Sequence, residues 1–490
     1  MYAAATSVAL VGGDARPVRV EAHVGRQSEA FKLSGLPDTA VREAKDRVRA
    51  AVASAGIRFP NRTVTVNLAP ADLPKGGTDY DLPIALGILA ASREIPPLRD
   101  AVVVGELALD GAIRPGSNAF GAGVLSARQN VPCLVATSVA GEAAAIPGAT
   151  AYGVASLAAA VELLRGGLGS VEPARPGARM LAEKAQDLAD IRGQPMARRA
   201  LEVAAAGGHH LLMHGPPGSG KTMLARRIVG ILPPLPIEEA VETAMLWAAG
   251  GRRRGLVVTP PFRAPHHTAS KAALVGGGSG NPVPGEVSLA HRGILFLDEL
   301  AEFPRSHLDT LRQPLEEGVV SVARRGSSID FPATFQLLAA TNPCPCGFYG
   351  DGRRPCECRP AILGRYRSRI SGPLLDRFDL IVRVGRVEAA EYSGPRGETS
   401  ESVAARVDRA RVAQLQRGQV NRHLEVGDSE ESKAAAQLVA SAVGVGVLTA
   451  RGADRVRRVA RTIADLTGVD RVEEQHMAEA IGLRGEWRDE

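Results

Sequence analysis

Apolar residues along the chain fall into short runs that alternate with segments of helical character. In the first third of the sequence, residues 64–68, 101–104 and 133–136 are compact apolar runs with the length of buried strands. Residues 39–55 and 82–91 are longer and have the composition of helices. This mixture predicts an α+β arrangement for the first part of the chain.

The middle of the chain alternates strands and helices more regularly. Residues 210–214, 294–297 and 337–342 are apolar runs that predict buried strands. Residues 223–231 follow the first of these runs and predict a helix. Regular alternation of this kind is typical of an α/β fold with a parallel sheet.

A stretch rich in glycine and proline, residues 166–177, interrupts the pattern and predicts a linker. Near the carboxyl end, residues 447–466 and 473–483 predict helices without intervening strands. A chain of 490 residues suggests roughly three domains at about 150 residues each. The sequence therefore predicts an α+β domain, a linker, an α/β core and an all-helical carboxy-terminal domain, with the boundaries 1–165, 166–180, 181–386 and 387–490.

Composition fits a folded protein in a reducing compartment. Hydrophobic residues make up 45% of the chain and charged residues 23%, which excludes wholesale disorder. The 5 cysteines are an odd number in a long chain, and this usage favours a cytoplasmic protein over a disulfide scaffold. Pro147, Gly148 and Gly153 interrupt the longest uncharged run, and no secretory leader is visible. We therefore expect neither a membrane span nor export.

A nucleotide-binding loop follows directly after the apolar run 210–214. Its residues, which fit the pattern G-x-x-x-x-G-K-[ST], are Gly215, Pro216, Pro217, Gly218, Ser219, Gly220, Lys221 and Thr222. The glycines let backbone N–H groups turn inward around phosphates, while Lys221 reaches the β- and γ-phosphates and Thr222 holds Mg²⁺. Because strand, loop and helix follow in the order that this motif needs, the sequence predicts a site for ATP and Mg²⁺.

Two further strand ends carry polar residues that suit ATP hydrolysis. The run 294–297 ends in Asp298 and Glu299, a pattern in which the first acid binds Mg²⁺ and the second polarises the attacking water. The next predicted strand ends in Asn342, which either positions that water or forms a turn before Pro343. The order along the chain favours the first interpretation.

Arg377 lies on a short segment just before another apolar run, residues 380–384. A surface arginine is usually only solvated. Here it is a candidate arginine finger that reaches the γ-phosphate on a neighbouring subunit.

The order of these motifs resembles that of AAA+ ATPases, and longer phrases narrow the resemblance to the magnesium-chelatase-like ComM/YifB family. The phrases span residues 261–270, 284–291, 297–303, 342–347, 371–377 and 448–466, so the resemblance covers almost the whole chain. It implies that Asn342 is sensor 1, Arg377 the arginine finger and Arg451 the sensor 2 residue of a helical lid. It also implies a hexameric ring that migrates DNA branches during natural transformation.

The first domain resembles the ChlI-type domain, which has the fold of the Lon protease domain. In that fold a nucleophilic serine is expected near Asp79 and a general-base lysine near residues 119–120. Residues 73–91 contain no serine and residues 76–183 contain no lysine, so a Ser/Lys dyad cannot form there. We therefore expect no proteolytic activity and interpret the domain as a structural or DNA-contacting collar.

A cysteine cluster follows Asn342 closely and consists of Cys344, Cys346, Cys356 and Cys358. Four thiolates suit a tetrahedral Zn²⁺ site. However, only one residue separates the two cysteines of each pair, whereas zinc sites usually have two or more. A reduced loop without metal is the alternative.

Cys133 is expected in the core. His266 and His267 are interpreted as part of an insert that contacts DNA or a neighbouring subunit.

Basic residues exceed acidic ones by 59 to 53, a net charge of +6 that permits a polyanionic partner. The clustered arginines are Arg252, Arg253, Arg254, Arg324, Arg325, Arg353, Arg354, Arg359, Arg365, Arg367 and Arg369. In a ring these segments could face the pore and bind branched or single-stranded DNA through its phosphates, independently of sequence. A solvated arginine-rich surface is the competing interpretation. A metal-insertion ATPase of the magnesium-chelatase type is the alternative function, because its ATPase core carries the same motifs.

Overall fold

The computed structural model describes most of the chain. The described residues are 1–25, 30–35, 37–73, 75–98, 100–177, 185–252, 254–278, 282–324, 327–425, 427, 429–485 and 487. Arg253, Arg325, the end of the predicted linker at 178–180 and the start of the predicted core at 181–184 lie outside this set.

Strands form a large sheet in the first domain, a second sheet in the core and several short ribbons. Their bounds are β1 (Tyr2–Val11), β2 (Asp14–Val24), β3 (Ala30–Ser34), β4 (Thr63–Ala69), β5 (Val102–Val103), β6 (Glu106–Leu107), β7 (Ile113–Arg114), β8 (Cys133–Ala136), β9 (Ala151–Val154), β10 (Leu211–His214), β11 (Phe262–Arg263), β12 (Gly276–Gly277), β13 (Val283–Pro284), β14 (Ile294–Leu297), β15 (Val319–Arg324), β16 (Ser327–Pro332), β17 (Gln336–Thr341) and β18 (Leu380–Arg383).

Helices connect these strands and account for the elements after β18. Their bounds are α1 (Thr39–Ser54), α2 (Asp81–Ala91), α3 (Ala119–Gln129), α4 (Ala140–Ala144), α5 (Leu157–Gly166), α6 (Pro195–Gly207), α7 (Lys221–Arg227), α8 (Ile237–Ala249), α9 (Lys271–Val275), α10 (Glu286–Leu289), α11 (Arg305–Asp309), α12 (Arg312–Glu317), α13 (Pro360–Arg367), α14 (Gly372–Leu375), α15 (Ala389–Ser393), α16 (Ser400–Gln416), α17 (Lys433–Gly444), α18 (Ala450–Thr467) and α19 (Glu474–Gly482). Within the described residues, no helix has both the length and the apolar character needed to cross a membrane.

The predicted strands and helices are present, and most of their ends lie within three residues of the predicted positions. The helix expected at 223–231 begins earlier, at Lys221, and its second half is a 3₁₀ turn at Ile228–Ile231. The helix expected at 447–466 begins at Ala450, because Thr449 caps it by accepting a hydrogen bond from the Gly452 N–H. The mixed α and β character of the chain is therefore confirmed.

The sheet of the first domain is mixed. Its strands lie in the order β3-β4-β2-β1-β5-β8-β9, and β1 pairs antiparallel with β2 along its whole length. The turn between them needs Gly12 and Gly13, whose φ values are 62° and 86°. Every residue of α2 is buried, which explains why its sequence lacks a polar stripe.

The core sheet is parallel, with the strand order β11-β14-β17-β10-β18. Parallel strands require crossover connections, and helices supply most of them here. Because the strands run in the same direction, the carboxyl ends of β10, β14 and β17 meet at one edge of the sheet. Gly215, Asp298 and Asn342 therefore lie close to one another.

Alternating side chains attach this sheet to an apolar cluster on each face. Ile294 and Phe296 of β14 belong to the cluster that contains α6 and the carboxy-terminal helices. Leu295 and Leu297 belong to the opposite cluster, which includes Phe303. Because successive side chains of a strand point to opposite faces of the sheet, the run I-L-F-L contributes residues to both apolar clusters.

The carboxy-terminal helices pack on α6 and on one another. In α18, Val456, Val459, Ala460 and Ile463 recur at helical spacing and are fully buried. The chain then returns to the core sheet, where the Ile381 N–H donates to the Leu483 carbonyl at 2.9 Å. The helices are thus bound directly to the sheet that carries the phosphate-binding loop.

Helix α8 joins the core to the first domain. Ala240, Val241, Ala244 and Met245 belong to the apolar cluster of the first domain, although they follow the phosphate-binding loop in sequence. A side chain at Gly12 would meet the backbone oxygen of Asp330 at 2.2 Å, so the β1–β2 turn lies tightly against β16. The sequence analysis did not predict this contact.

Candidate active site

The phosphate-binding loop connects β10 to α7 as a tight turn. Gly218 and Gly220 have φ of 75° and 90°, which favours residues without a side chain. A Cβ atom at Gly215 would lie 2.0 Å from the Val384 carbonyl oxygen of the adjacent strand segment. The glycines of the motif are therefore required by the backbone path as well as by the approach of a phosphate.

The Lys221 ammonium group lies inside this loop. It donates to the carbonyl oxygens of Gly215 at 2.8 Å and Pro216 at 2.9 Å, and to the Asn342 side-chain oxygen at 3.3 Å. Burial lowers the pKa of Lys221 to about 8, and the nearby Asp298 carboxylate opposes that shift. The ammonium group is thus held by oxygens that a phosphate can replace, at the place that the sequence predicted.

Thr222 and Asp298 face each other across the edge of the sheet. The Thr222 hydroxyl donates to the Asp298 carboxylate at 2.6 Å. One hydroxyl and one carboxylate at this separation, beside a phosphate-binding loop, match the oxygen donors that Mg²⁺ takes from proteins of this kind. The residues present therefore fit Mg²⁺.

Glu299 has an unusual backbone and a partner that the sequence analysis missed. Its φ of 52° and ψ of 46° place a non-glycine residue in the left-handed region, at a cost of about 1–3 kcal/mol. Its carboxylate lies 3.1 Å from the His267 ring nitrogen. The fold brings His267 to this acid from a segment that precedes β14 in the chain.

Asn342 follows β17 and lies beside the phosphate-binding loop through its contact with Lys221. The structure thus gathers Lys221, Thr222, Asp298 and Asn342 at one edge of the sheet. The turn interpretation of Asn342 does not account for the direction of its side-chain oxygen toward the ammonium group.

The structure places the other two predicted site residues elsewhere. Arg377 pairs with Glu316 and donates to the Pro373 carbonyl at 2.5 Å, and neither partner belongs to the phosphate-binding loop. Arg451 lies exposed in the first turn of α18, and its side chain makes no hydrogen bond or ion pair within the described part of the chain. Neither arginine contacts Lys221 in the same chain.

A buried ionic cluster connects the Arg377 segment to the carboxy-terminal helices. The Asp379 carboxylate accepts a hydrogen bond from the His210 N–H at 2.9 Å and from Arg455 at 3.0 Å. Burial alone would raise the pKa of Asp379, but the His209 ring, 3.6 Å from the carboxylate, and the Arg455 guanidinium hold that pKa well below its usual range. Arg455 also donates to the Arg377 carbonyl at 3.2 Å.

A cavity of about 570 Å³ opens beside the phosphate-binding loop. One wall is formed by Gly218, Ser219 and Gly220 together with the start of α7. The opposite walls come from residues 190–194, which precede α6, and from Arg353, Arg386 and Tyr392. The volume suits a nucleotide next to a phosphate-binding loop. The sequence analysis did not identify these walls, because no motif marks them.

The four clustered cysteines converge in space. Their sulfur atoms all lie within 4.8 Å of one another, and Cys344 Sγ is 3.3 Å from Cys346 Sγ and 3.7 Å from Cys356 Sγ. Tetrahedral Zn²⁺ with bonds of about 2.3 Å places its sulfur ligands about 3.8 Å apart, so the cluster fits that ion. Burial acts to raise the pKa of Cys346, but hydrogen bonds from the Phe348 backbone and from Cys344 lower it to about 6. A thiolate is the form that binds a metal.

The first domain contains a buried carboxyl group in the segment 73–91, which has no serine. Asp79 is buried, and its carboxylate accepts a hydrogen bond from the Ser117 hydroxyl at 3.1 Å. Burial raises the pKa of Asp79 to about 6. The Lys75 ammonium group donates to the Pro70 carbonyl.

Most of the clustered arginines have partners in the structure. Arg252, Arg353 and Arg369 pair with Glu286, Glu388 and Glu302, and Arg254 stacks over Trp247 at 5.1 Å. Arg359 and Arg365 are exposed, and their side chains make no ion pair or hydrogen bond among the described residues. These two are the best placed to bind a polyanion, while replacement of Arg254 would also disturb packing.

The strand order of the core, the loop after β10 and the acids after β14 define the class of P-loop ATPases of the AAA+ type. Three family models match: "Magnesium chelatase, subunit ChlI" over 187–392, "Subunit ChlI of Mg-chelatase" over 20–138 and "Magnesium chelatase, subunit ChlI C-terminal" over 397–484.

Relatives that match nearly the full length of the chain identify its family within this class. Competence protein ComM of Haemophilus influenzae is 42% identical over 98% of this chain and 96% of its own length. The uncharacterized protein YifB of Salmonella typhimurium is also 42% identical, over 97% and 96%. Lon protease 2 of Bacillus subtilis is 30% identical over 36% of this chain and 34% of its own. The chain belongs to the ComM/YifB family of magnesium-chelatase-like AAA+ proteins, and this membership implies ATPase activity with ATP and Mg²⁺.

Proposed function

We propose that the protein is a ring-forming ATPase that moves along DNA and drives branch migration or unwinding. The observation that carries the proposal is the convergence of Lys221, Thr222, Asp298 and Asn342 at one sheet edge. It occurs in a chain that aligns over 98% of its length with a relative named for competence.

Each residue of the site has a defined task in ATP hydrolysis. The loop from Gly215 to Thr222 wraps the phosphates, and Lys221 neutralises their charge. Thr222 and Asp298 hold Mg²⁺, which when bound draws charge from the phosphate oxygens. Glu299 takes a proton from the attacking water, and Asn342 orients that water.

The remaining catalytic group is supplied by a second subunit. Arg377 does not contact the phosphate-binding loop of its own chain, and its carbonyl is bonded to Arg455 in α18. In the proposed hexamer, Arg377 acts as the arginine finger of the neighbouring site, and Arg451 serves as sensor 2 on a lid formed by residues 387–490. Movement of that lid would shift Arg377 through the Arg455 contact.

DNA is proposed to bind through its phosphates. Arg359 and Arg365 are exposed near the Cys-containing loop and lack intramolecular partners among the described residues. Few aromatic side chains accompany them, so contacts to the backbone of branched or single-stranded DNA, independent of sequence, are the expected mode.

Two further assignments complete the proposal. The first domain, residues 1–165, is proposed to lack proteolytic activity because residues 73–91 contain no serine and residues 76–183 no lysine, and the linker 166–180 connects it to the core at 181–386. The four cysteines are proposed to bind one Zn²⁺, since the distances between their sulfur atoms match those of tetrahedral coordination.

The alternative function, metal insertion by a chelatase-type ATPase, is less well supported. The family models carry the chelatase name, but a relative named for competence matches 98% of the chain.

The test is steady-state ATPase activity with and without a forked DNA, at low and at physiological salt. The proposal expects stimulation by forked DNA that decreases steeply as salt rises. Arg359→Ala with Arg365→Ala should reduce this stimulation. Active ATPase without any response to or binding of DNA at low salt would overturn the DNA assignment.

A further inference from the structure

The loop that carries the four cysteines, residues 343–359, lies against the nucleotide site. It contains no helix or strand, although all of its residues are described. A Cβ atom at Gly347 would lie 2.6 Å from the Pro217 ring of the phosphate-binding loop. The two loops are therefore in direct contact, with no room for a side chain between them.

The same loop is fixed to the opposite wall of the cavity. The Asp351 side chain is 1% exposed and accepts a hydrogen bond from Arg386 at 2.8 Å. The Phe348 ring lies between Arg354, at 4.7 Å, and Arg386, at 5.8 Å. Asp351 and Phe348 thus determine where the Arg386 guanidinium points, and Arg386 lines the cavity beside the phosphate-binding loop.

Arg353 of this loop also lines the cavity. It pairs with Glu388 at 2.7 Å, and its side chain is 54% exposed, so it can reorient toward a polyanionic ligand. The loop therefore supplies one cationic group itself and positions a second one. Both face a site whose expected ligand carries three phosphates.

A loop of this length without regular structure loses considerable conformational entropy when it is ordered. A four-coordinate metal offsets that loss, because it cross-links both ends of the loop at one point. The sulfur atoms that would hold the metal lie within 4.8 Å of one another, at the base of the loop. Arg353 and Asp351 lie between the two cysteine pairs, in the segment that the metal would close.

We propose that the zinc-closed loop is a wall of the nucleotide site, and that zinc occupancy sets the affinity for ATP through Arg353 and the Arg386 held by Asp351. This inference rests on the proposed function, since it assumes that ATP binds in the cavity. It assigns to the cysteine cluster a task in nucleotide binding in addition to local stability.

The experiment compares full-length protein as purified, after removal of zinc with a chelator under reducing conditions, and after re-addition of Zn²⁺. Zinc content is measured by elemental analysis, and affinity by titration with a fluorescent ATP analogue. We expect about one zinc per chain, and a Kd that rises about tenfold or more on removal and recovers on re-addition.

Variants that still bind zinc distinguish a loss of ATP affinity caused by the loop's side chains from one caused by unfolding of the loop. Arg353→Ala and Asp351→Asn should retain zinc and each weaken ATP binding by about tenfold, because the first removes a cationic group and the second removes the charge of the ion pair that holds Arg386. Glu357→Gln is the matched control, since Glu357 is exposed in the same loop and does not line the cavity. It should leave the affinity unchanged.

Three results overturn the inference in different ways. Zinc-free protein with unchanged affinity, or Arg353→Ala and Asp351→Asn proteins with wild-type affinity, would remove the role of the loop while leaving the ATPase assignment intact. If the purified protein contains no zinc and takes up none when Zn²⁺ is added, the four cysteines are not a zinc site. Zinc-loaded wild type that binds no ATP would contradict the proposed function itself.

Discussion

Replacement of Asp79 by asparagine should stabilise the protein at alkaline pH. The Asp79 side chain is 2% exposed, and one of its carboxylate oxygens has no hydrogen-bond partner among the described residues. Burial raises its pKa to about 6, although the Ser117 hydroxyl and backbone hydrogen bonds from Ser117 and Asn118 act in the other direction. An ionised carboxylate is therefore less stable here than in the unfolded chain.

The size of the effect follows from the pKa difference. The folded pKa of about 6 lies about 2 units above the ordinary value of 3.8, and each unit corresponds to about 1.4 kcal/mol, so ionisation costs about 3 kcal/mol at pH 8. Because the folded pKa is the higher one, full stability is present below about pH 4 and is lost as pH rises through 6. The new amide N–H lacks a partner, at a cost of about 1 kcal/mol, which leaves a net gain of about 2 kcal/mol.

The assay is calorimetric unfolding of the full chain at pH 8 and at pH 4.5. At pH 8, the transition that contains the first domain should shift upward by about 4–8 °C in the Asp79→Asn protein. At pH 4.5 the shift should be close to zero, because most of the ionisation penalty is absent there. Asp72→Asn is the matched control, since Asp72 is exposed in the same segment. A variant that is no more stable than wild type at pH 8, or that gains equally at both pH values, would refute this reasoning.

Three further predictions concern the ATPase site. Glu299→Gln should bind ATP normally but turn it over about 10² times more slowly, because the general base is lost; normal turnover would contradict the assignment. Arg377→Ala should retain nucleotide binding and lose hydrolysis by about 10³, and mixing it with Lys221→Ala subunits should restore part of the activity; the absence of rescue in rings shown to be mixed would contradict action in trans. His267→Ala should raise basal turnover by up to about fivefold, because the contact that holds Glu299 is partly exposed and worth about 1 kcal/mol or less. His266→Ala is its control, and reduced turnover in the His267 variant would show that the contact assists catalysis instead.

Local sequence patterns predicted the elements and the nucleotide motifs well. The run 294–297 and the glycine-rich loop are short-range signals, since strand length, apolar character and the turn conformation of glycine are set within a few residues. The parallel sheet then places the ends of β10, β14 and β17 together without further information. For this reason the sequence alone predicts that Lys221, Asp298 and Asn342 lie close together.

Contacts between distant segments were not predictable in the same way. His267 meets Glu299, and Arg353 meets the cavity beside Gly218, only because separate loops pack at one edge of the sheet. Helix α8 likewise joins the core of the first domain through packing that no periodicity reveals. The cysteine cluster could be predicted only in part. Its four members are visible in the sequence, but only the fold shows that their sulfur atoms lie within 4.8 Å of one another.

The most direct test of the central claim is conversion of a labelled four-way DNA junction by the purified protein. With ATP and Mg²⁺, the wild-type protein should separate the junction into its duplex products, with junctions of unrelated sequence converted equally well. The Glu299→Gln protein should bind the junction and leave it intact. Conversion that does not depend on ATP hydrolysis, or a wild-type protein that hydrolyses ATP and binds the junction without converting it, would contradict the account of the protein as a DNA motor.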